Sequence, residues 1–238
     1  MMGFDLLFGP SVERGPRERR VYLTFDDGPN ERATPAILET LASEHVPAAF
    51  FMVGEHVLRF PALAREVVRE GHIAGNHTQN HVKLHFVGKR RLRYQLGVAH
   101  LAIEWATGER PRAFRAPHGY RSPFLRAAAR ALGYTVFGWT FGVFDTARPG
   151  VQEIRRRVRG RLRPGAIVLL HDGDGYDPEG DRMQTAQALP GIIEDARNAG
   201  YEFAPLRELL NNHSSPGIQG SSAAGQYRPM RQAPSSLD

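Results

Sequence analysis

The strongest constraint on the fold is an alternation along the chain of short strand-like runs with longer helical stretches. Seven runs are rich in β-branched or aromatic residues, at 21–25, 48–53, 72–75, 113–115, 135–141, 166–170 and 201–204. Six stretches between them show helical spacing of apolar residues, at 34–44, 61–70, 89–107, 122–132, 151–159 and 185–199. Such alternation predicts parallel strands joined by right-handed crossovers. The predicted class is therefore α/β, either a (β/α) barrel of fewer than eight strands or an open doubly wound sheet.

The two ends of the chain differ from its middle. Residues 211–238 are rich in Ser, Gly, Pro and Gln and predict a disordered tail, while residues 1–19 form an extension before a single predicted domain at 20–210. The extension lacks the basic start and apolar run of an export signal. We therefore expect a cytoplasmic protein from the sequence as written, or an exported one if a leader lies upstream. No apolar run approaches the ~20 residues of a membrane span.

Composition excludes several kinds of site. Because none of the 238 residues is cysteine, disulfide scaffolds, thiolate zinc sites and cysteine nucleophiles are excluded. The net charge is +6, and 29 of the 31 basic residues are arginine. The densest arginine run comprises Arg155, Arg156, Arg157, Arg159, Arg161 and Arg163. We interpret this run as a solvated helix face rather than a phosphate track, and we expect no nucleic-acid partner.

Ionisable side chains follow five of the predicted strands. These side chains are Asp26 with Asp27, His77, Arg115, Asp145 and His171. The carboxyl edge of the strands is where α/β barrels build their sites. The pattern therefore predicts one functional site at this edge.

The segment Thr24-Phe25-Asp26-Asp27-Gly28-Pro29 ends the first predicted strand. Because side chains alternate along a strand, the two carboxylates point in different directions and can take different roles. One carboxylate can bind a cation while the other accepts or donates a proton. Asp-Gly-Pro is also ordinary turn chemistry, which is the alternative interpretation of this segment.

The segment Gly75-Asn76-His77-Thr78-Gln79-Asn80-His81 carries two histidines four residues apart. We expect them on one face of a helical turn, where both imidazoles reach one ion. Together with Asp27 they form a set of one carboxylate and two imidazoles. Three protein ligands leave a coordination position open, as in catalytic zinc sites. Iron, cobalt, nickel and manganese suit the same set.

Three further segments carry weaker signals. Arg115 at a strand end can orient a carboxylate with its planar guanidinium, and the turn Pro117-His118-Gly119 can present a backbone N–H. His171 directly follows a buried apolar run, either as a capped core histidine or as a general acid whose pKa a nearby carboxylate sets. The acidic stretch 172–181 is a candidate for a second cation site. Because the stretch lacks the oxygen-ligand pattern of a calcium loop, we favour a flexible loop on the substrate side.

Together these segments resemble the polysaccharide deacetylase family (carbohydrate esterase family 4), whose five motifs occur here in the family's order over roughly residues 21–210. The resemblance implies a distorted seven-stranded (β/α) barrel. It implies a divalent metal, zinc first, bound by Asp27, His77 and His81. It also implies that Asp26 is the catalytic base and His171 the general acid.

The resemblance assigns further roles around these residues. Arg115 is expected to orient the base and Asp145 to act as an electrostatic partner. Pro117, His118 and Leu169 are expected to bind substrate, with the His118 N–H holding the oxyanion and Leu169 lining the acetyl pocket. Three positions depart from the family pattern: His118 replaces the usual Tyr, Thr146 the usual Trp and Val82 the usual Pro.

The implied partner is an acetylated glycan. The leading hypothesis is removal of N-acetyl groups from an amino-sugar polymer or oligosaccharide, either peptidoglycan-like or chitin-like. The alternatives are an O-acetyl esterase acting on acetylated xylan or another glycan, a hydrolase of non-carbohydrate amides, and a glycan-binding module without turnover. The sequence leaves the oligomeric state open.

Overall fold

The computed structural model describes residues 8–210, so the predicted tail at 211–238 lies outside the described residues. The strands are β1 (Arg20–Asp26), β2 (Ala48–Met52), β3 (Ile73–Asn76), β4 (Ala113–Arg115), β5 (Thr135–Phe137), β6 (Phe141–Gly142), β7 (Ala166–His171) and β8 (Glu202–Phe203). The helices are α1 (Ala33–Ser43), α2 (Gly54–Arg59), α3 (Pro61–Arg69), α4 (Lys89–Thr107), α5 (Leu125–Leu132), α6 (Val151–Arg159) and α7 (Met183–Asn198). Within the described part of the chain, no helix combines the length and the apolarity needed to cross a bilayer.

Seven parallel strands form one curled sheet in the order β5-β4-β3-β2-β1-β7-β6, and β8 pairs in parallel with β1. Consecutive strands from β1 to β5 are neighbours, and β1 pairs with β7. A strand order that runs in one direction from β1 to β5 is that of a barrel, and it excludes the doubly wound sheet. The α/β class and the distorted seven-stranded barrel are therefore confirmed.

The barrel is open between β5 and β6, which are consecutive in the chain but lie at opposite ends of the sheet. The single strand predicted at 135–141 is therefore wrong. The chain leaves β5 at Gly138, whose N–H donates to the carbonyl of Val12 and whose carbonyl accepts from Arg115. These partners replace the sheet bonds that would continue the strand.

The segment before β1 spans this opening. Val12 forms an isolated parallel bridge to Phe137 at one edge of the gap. Gly15 donates its backbone N–H to Gly165, and the Arg14 guanidinium donates to the carbonyl of Pro164 on the other side. Residues 12–15 thus bridge the two edges without forming an eighth barrel strand.

The arginine run packs against the edge strand β6 and its flanks. Arg157 donates to the carbonyl of Val143, Arg161 to that of Gly142 and Arg163 to that of Thr140, at 2.6–2.9 Å. Arg161 and Arg163 are exposed, as the interpretation of a solvated face predicts, but all three side chains also hold backbone carbonyls, which that interpretation did not include. An edge strand exposes unpaired carbonyls, and the guanidiniums satisfy them.

Strand register decides which polar residues meet at the carboxyl edge. Asp26 is paired with His171 of β7 on one side and with Phe51 of β2 on the other. Met52 is paired in turn with Asn76, the residue before His77. The buried runs of β1, β2 and β7 hold this register because a slip of one residue would turn apolar side chains away from the core.

Candidate active site

Asp26 ends β1 and is held by a buried guanidinium. Its Oδ1 accepts from Nη1 of Arg115 at 2.7 Å. The same nitrogen donates to Thr24 Oγ1, and Nη2 donates to the carbonyl of Gly138. The guanidinium carbon lies 4.1 Å from the ring centre of Phe51. Arg115 is thus fixed by its own contacts and fixes the orientation of the Asp26 carboxylate.

Asp27, His77 and His81 converge on one point. The Nε2 atoms of His77 and His81 lie 3.4 and 3.0 Å from Oδ1 of Asp27, and the three ligand atoms are all within 4.8 Å of one another. All three side chains are buried. Oδ1 of Asp27 has no hydrogen-bond partner in the described part of the chain. A buried carboxylate oxygen without a partner, facing two imidazole nitrogens, fits the donor set of a divalent cation.

The charge state of Asp27 suits this role. Burial raises the pKa of its carboxyl group, but the neighbouring imidazoles of His77 and His81, together with the charge of His171, outweigh burial. The pKa of Asp27 is therefore held well below its usual value, and the group is an anion as a metal ligand must be.

The two imidazoles are oriented by their surroundings. Nδ1 of His77 donates to the carbonyl of Arg115 at 2.8 Å, which leaves the Nε2 lone pair directed at Asp27. His81 is held by close packing instead. A Cβ atom added at Gly175 would lie 2.1 Å from Nδ1 of His81, so the Gly175 backbone touches the imidazole.

The helical turn predicted for the histidine pair is wrong. The chain between His77 and His81 is a loop in which Thr78 and His81 have left-handed φ values of 72° and 55°. Oε1 of Gln95 on α4 accepts from the backbone N–H of Gln79, so a side chain replaces the helical bonds. The imidazoles nevertheless meet, with ring centres 5.1 Å apart.

His171 ends β7 and lines the same cleft as Asp27, His77 and His81, which form the metal-type cluster. Its Nδ1 donates to Oδ1 of the buried Asp145 at 2.9 Å, and its backbone N–H donates to Oδ2. Burial lowers the pKa of His171, but Asp145, with smaller contributions from Asp27 and Asp26, outweighs it and raises the pKa to about 9. The imidazole is therefore protonated at neutral pH and can donate a proton.

A cleft of about 400 Å³ joins these groups. Seven of the ten predicted site residues line it directly, namely Asp26, Asp27, His77, His81, His118, Leu169 and His171. Arg115 and Asp145 lie behind the lining, in contact with Asp26 and His171 respectively. Pro117 is buried and is not among the lining residues.

The cleft wall differs from the resemblance at two positions. His118 has a left-handed φ of 55°, and its ring lies 4.7 Å from that of His81. Its Nε2 lies 3.0 Å from the hydroxyl of Tyr176, which also lines the cleft. Thr146 lines the cleft beside Phe144, whose ring is largely exposed. Aromatic rings from Phe144 and Tyr176 therefore flank the opening.

Sequence reasoning missed several supporting residues. Thr185 on α7 donates to Oδ2 of Asp145, and Nδ1 of His56 donates to the backbone carbonyl of Asp27. Neither residue follows a strand, so nothing in the sequence pattern indicates it. Thr24 could have been predicted from the sequence, because it lies two residues before Asp26 and its side chain therefore lies on the same face of β1.

The acidic stretch 172–181 is not a second cation site. Oδ2 of Asp174 pairs with the Arg182 guanidinium, and Oδ1 of Asp181 accepts from the backbone N–H of Met183. Asp172 accepts from Thr34 Oγ1, and burial raises its pKa to about 7. Among the described residues, the carboxylates of this stretch join no metal-type cluster. The stretch instead contributes to the cleft wall.

The chain is similar in sequence and in fold to proteins of one known family. The polysaccharide deacetylase family model matches residues 13–137. A chitooligosaccharide deacetylase from Bradyrhizobium sp. (strain ANU 289) is 40% identical over 200 residues, covering 80% of this chain and 90% of the relative. A solved peptidoglycan N-acetylglucosamine deacetylase has a TM-score of 0.79 and 27% identity, covering 88% of this chain and 96% of that one. A CE4 family pseudoenzyme from Bacillus anthracis has a TM-score of 0.76 and 28% identity, covering 85% and 69%.

Proposed function

The chain belongs to the polysaccharide deacetylase family, and on that premise we propose that it is a metal-dependent hydrolase removing N-acetyl groups from an amino-sugar polymer or oligosaccharide. One observation carries this proposal. The cluster of Asp27, His77 and His81 opens into the same cleft as a fixed carboxylate, Asp26, and a protonated imidazole, His171. The relatives named as chitooligosaccharide and peptidoglycan deacetylases support an acetylated glycan as substrate.

Asp27, His77 and His81 would hold the divalent cation. Zinc is the first candidate for one carboxylate and two imidazoles, and cobalt, nickel, manganese and iron fit the same donors. When bound, the cation supplies Lewis-acid chemistry that polarises an acyl carbonyl and makes water a stronger acid. The tautomer of His77 and the packing of His81 keep both Nε2 atoms directed at the same point.

Asp26 acts as the general base. Arg115 occupies its Oδ1, whereas Oδ2 lies 3.7 Å from Nε2 of His77, beside the metal-type cluster. The free oxygen therefore takes the proton from a water molecule as that water attacks the acyl carbon.

His171 acts as the general acid. Its Nδ1 is engaged by Asp145, so Nε2 is the nitrogen that can donate a proton into the cleft. The amine leaves with this proton when the C–N bond breaks, and the acyl carbon keeps the oxygen of the water. The products are acetate and a free amino sugar.

The remaining wall residues receive the acetyl group. Leu169 lines the cleft, and its Cδ2 would lie 3.4 Å from a Cβ added at Gly142, so the absence of a side chain at Gly142 leaves a small apolar recess. We assign this recess to the acetyl methyl. The backbone N–H of His118 is assigned to the oxyanion, as a donor at the cleft rim.

A module without turnover is the second candidate, because one of the structural relatives is a pseudoenzyme. Asp26 and His171, which are present and correctly partnered, favour an active enzyme. The same machinery also suits O-acetyl groups, so N- and O-acetylated substrates must be compared directly.

The test is release of acetate. The chelated protein and the zinc-reconstituted protein are incubated with N-acetylchitooligosaccharides, peptidoglycan and acetylated xylan. We expect zinc-dependent acetate release from the first two. We expect Asp26→Asn, which removes the proposed general base, to abolish this release. An Asp177→Asn variant is the matched control and should keep it, because Asp177 is exposed and outside the cleft lining. No acetate from any substrate with metal bound would support the module without turnover, and release from xylan alone would support the esterase.

A further inference from the structure

A second concavity of about 720 Å³ extends beside α6. This concavity, the arginine groove, is lined by Phe144, Glu153, Arg156, Arg157 and Arg161 among others. The helix beside it has nine residues and is about 14 Å long. Phe144 also lines the catalytic cleft, so the two concavities meet at this residue. The groove is therefore a continuation of the cleft beyond its rim.

The arginine groove carries a surplus of positive charge. Three guanidiniums face one carboxylate, Glu153, which accepts from Arg156 and Arg157. These hydrogen bonds lower the pKa of Glu153 to about 2, so its charge is constant at neutral pH. The Arg156 side chain is 65% exposed and has no partner other than Glu153 among the described residues. An anion in the groove can therefore reach guanidinium donors that the protein does not use.

Two of the guanidiniums are held in place. Arg157 donates through Nη1 to the carbonyl of Val143, and Arg161 donates through Nη1 to the carbonyl of Gly142. Both acceptor residues line the catalytic cleft. The groove and the cleft thus share one wall, and the arginines lose little conformational freedom when they bind a ligand.

Phe144, which lines both concavities, has a strained backbone conformation. Its φ and ψ angles of 55° and 39° are left-handed, which is uncommon for a bulky residue, and the residue is 70% exposed. Neither burial nor packing accounts for an aromatic ring in this position. Backbone strain of this kind concentrates at functional sites. The ring offers an apolar face to a ligand that passes from the cleft into the groove.

We propose that the arginine groove binds carboxylate groups carried by the same glycan strand whose acyl group occupies the catalytic cleft. The protein then prefers acidic amino-sugar polymers to neutral ones. This inference rests on the proposed function and narrows its substrate class. A strand that crosses Phe144 passes along α6, where a carboxylate meets the planar guanidiniums in a geometry suited to paired hydrogen bonds.

The test compares two glycans of equal length. One is a fragment of the peptidoglycan sugar chain, which carries a carboxylate on alternate sugars, and the other is a neutral N-acetylchitooligosaccharide. In the zinc-loaded enzyme, Arg156→Gln is expected to raise KM for the acidic fragment about fivefold. Glu153→Gln is expected to lower that KM by a similar factor, because it removes the competing carboxylate. In both variants, the KM for the neutral oligosaccharide and the kcat for each of the two glycans are expected to stay within twofold of the wild-type values. Added salt weakens only the preference for the acidic fragment.

Arg69→Gln and Glu66→Gln are the matched controls, because Arg69 and Glu66 form the same i,i+3 ion pair on α3. They change net charge equally, and we expect no change in either KM. Equal effects of Arg156→Gln on both glycans, or effects that the α3 controls reproduce, would overturn the proposal.

Calorimetric binding of both glycans keeps this test separate from the proposed function. If the wild-type protein releases no acetate, the dissociation constants of the wild type and the two groove variants still report on the groove. If the wild type binds the acidic fragment more tightly and Arg156→Gln removes this preference, the proposed carboxylate binding in the groove is supported even without turnover. Equal affinities of the wild type for the two glycans contradict it.

Discussion

Asp26 and Asp27 are adjacent in the chain, but their carboxylates have opposite surroundings. Oδ1 of Asp26 accepts from Arg115 at 2.7 Å, whereas Oδ1 of Asp27 faces the Nε2 atoms of His77 and His81 without a hydrogen bond among the described residues. The left-handed φ of 78° at Asp27 turns its side chain away from the strand direction. One carboxylate is therefore placed to bind a cation and the other to accept a proton.

This division predicts different outcomes for two similar substitutions. We expect Asp26→Asn to lower kcat by about 10²–10⁴-fold while the zinc dissociation constant changes less than threefold. Asp27→Asn is expected to weaken zinc binding by more than about 100-fold, because even partners behind the ligands are worth 10–100-fold. Calorimetry and acetate release measure both. If Asp26→Asn lost its zinc, the roles given to the two carboxylates would be wrong.

The contact between Asp145 and His171 predicts a shift in pH dependence. Asp145 raises the pKa of His171 to about 9, and the imidazole acts when protonated, so kcat/KM should fall only as the pH rises through about 9. Asp145→Asn removes the charge and should move this alkaline limb down by at least about one pH unit. Thr185→Val, which removes one hydrogen bond to Asp145 but no charge, should move it less. An alkaline limb that is the same in all three proteins would exclude His171 as the titrating acid.

The same pair makes folding stability depend on pH. The pKa of His171 is raised above its unfolded value of 6.5, so the contact stabilises the protein fully below pH 6.5 and this contribution is lost as the pH rises through about 9. We expect the free energy of unfolding of the wild type to fall between pH 7 and pH 10 more than that of Asp145→Asn. Denaturation in urea at the two pH values measures the difference, and parallel losses in both proteins would contradict it.

Gly175 predicts a loss of metal affinity without any change in a ligand. A Cβ at this position would lie 2.1 Å from Nδ1 of His81, so Gly175→Ala should displace the imidazole. We expect zinc binding to weaken by about 10–100-fold. Gly97→Ala is the matched control, because a Cβ there meets open space on α4. Unchanged zinc binding in Gly175→Ala would show that His81 is not positioned by this contact.

Arg115 predicts a stability effect that depends on its partner. Arg115→Met leaves the buried Asp26 without its charge partner and should reduce the free energy of unfolding by about 3–5 kcal/mol. The loss should be clearly smaller in an Asp26→Asn background, since the uncompensated charge is then absent. Urea denaturation of the four proteins measures the coupling. Arg69→Met, at an exposed ion pair, should change stability by less than about 1 kcal/mol. Equal losses in both backgrounds would mean that Arg115 acts through packing alone.

The sequence predicts the barrel and the place of the site well, because both follow from local patterns. The strands are marked in the sequence by short runs of apolar residues, either alternating with polar ones or continuous. Asp26, His77, Arg115 and His171 are found at or just after strand ends, as predicted. Parallel winding then brings these ends to one edge. The roles of these residues stay predictions until the experiments above are made.

Other features depend on partners distant in the chain, and no local pattern contains them. The loop at His77 and His81 takes its shape from Gln95 on α4 rather than from its own helical spacing. The break at Gly138 depends on Val12, more than a hundred residues away, and Arg157 folds back onto Val143. Each of these contacts was missed because the sequence shows which groups are polar but not which partner each of them reaches in the fold.

The most direct test of the account is the position of the metal. Crystals of the zinc-loaded protein, measured at the zinc absorption edge, give an anomalous peak for the ion. We expect one peak about 2.0–2.2 Å from a carboxylate oxygen of Asp27 and from Nε2 of His77 and of His81, with Asp26 outside coordination distance. A peak bound by Asp26, or no peak at this cluster in zinc-loaded crystals, would contradict it.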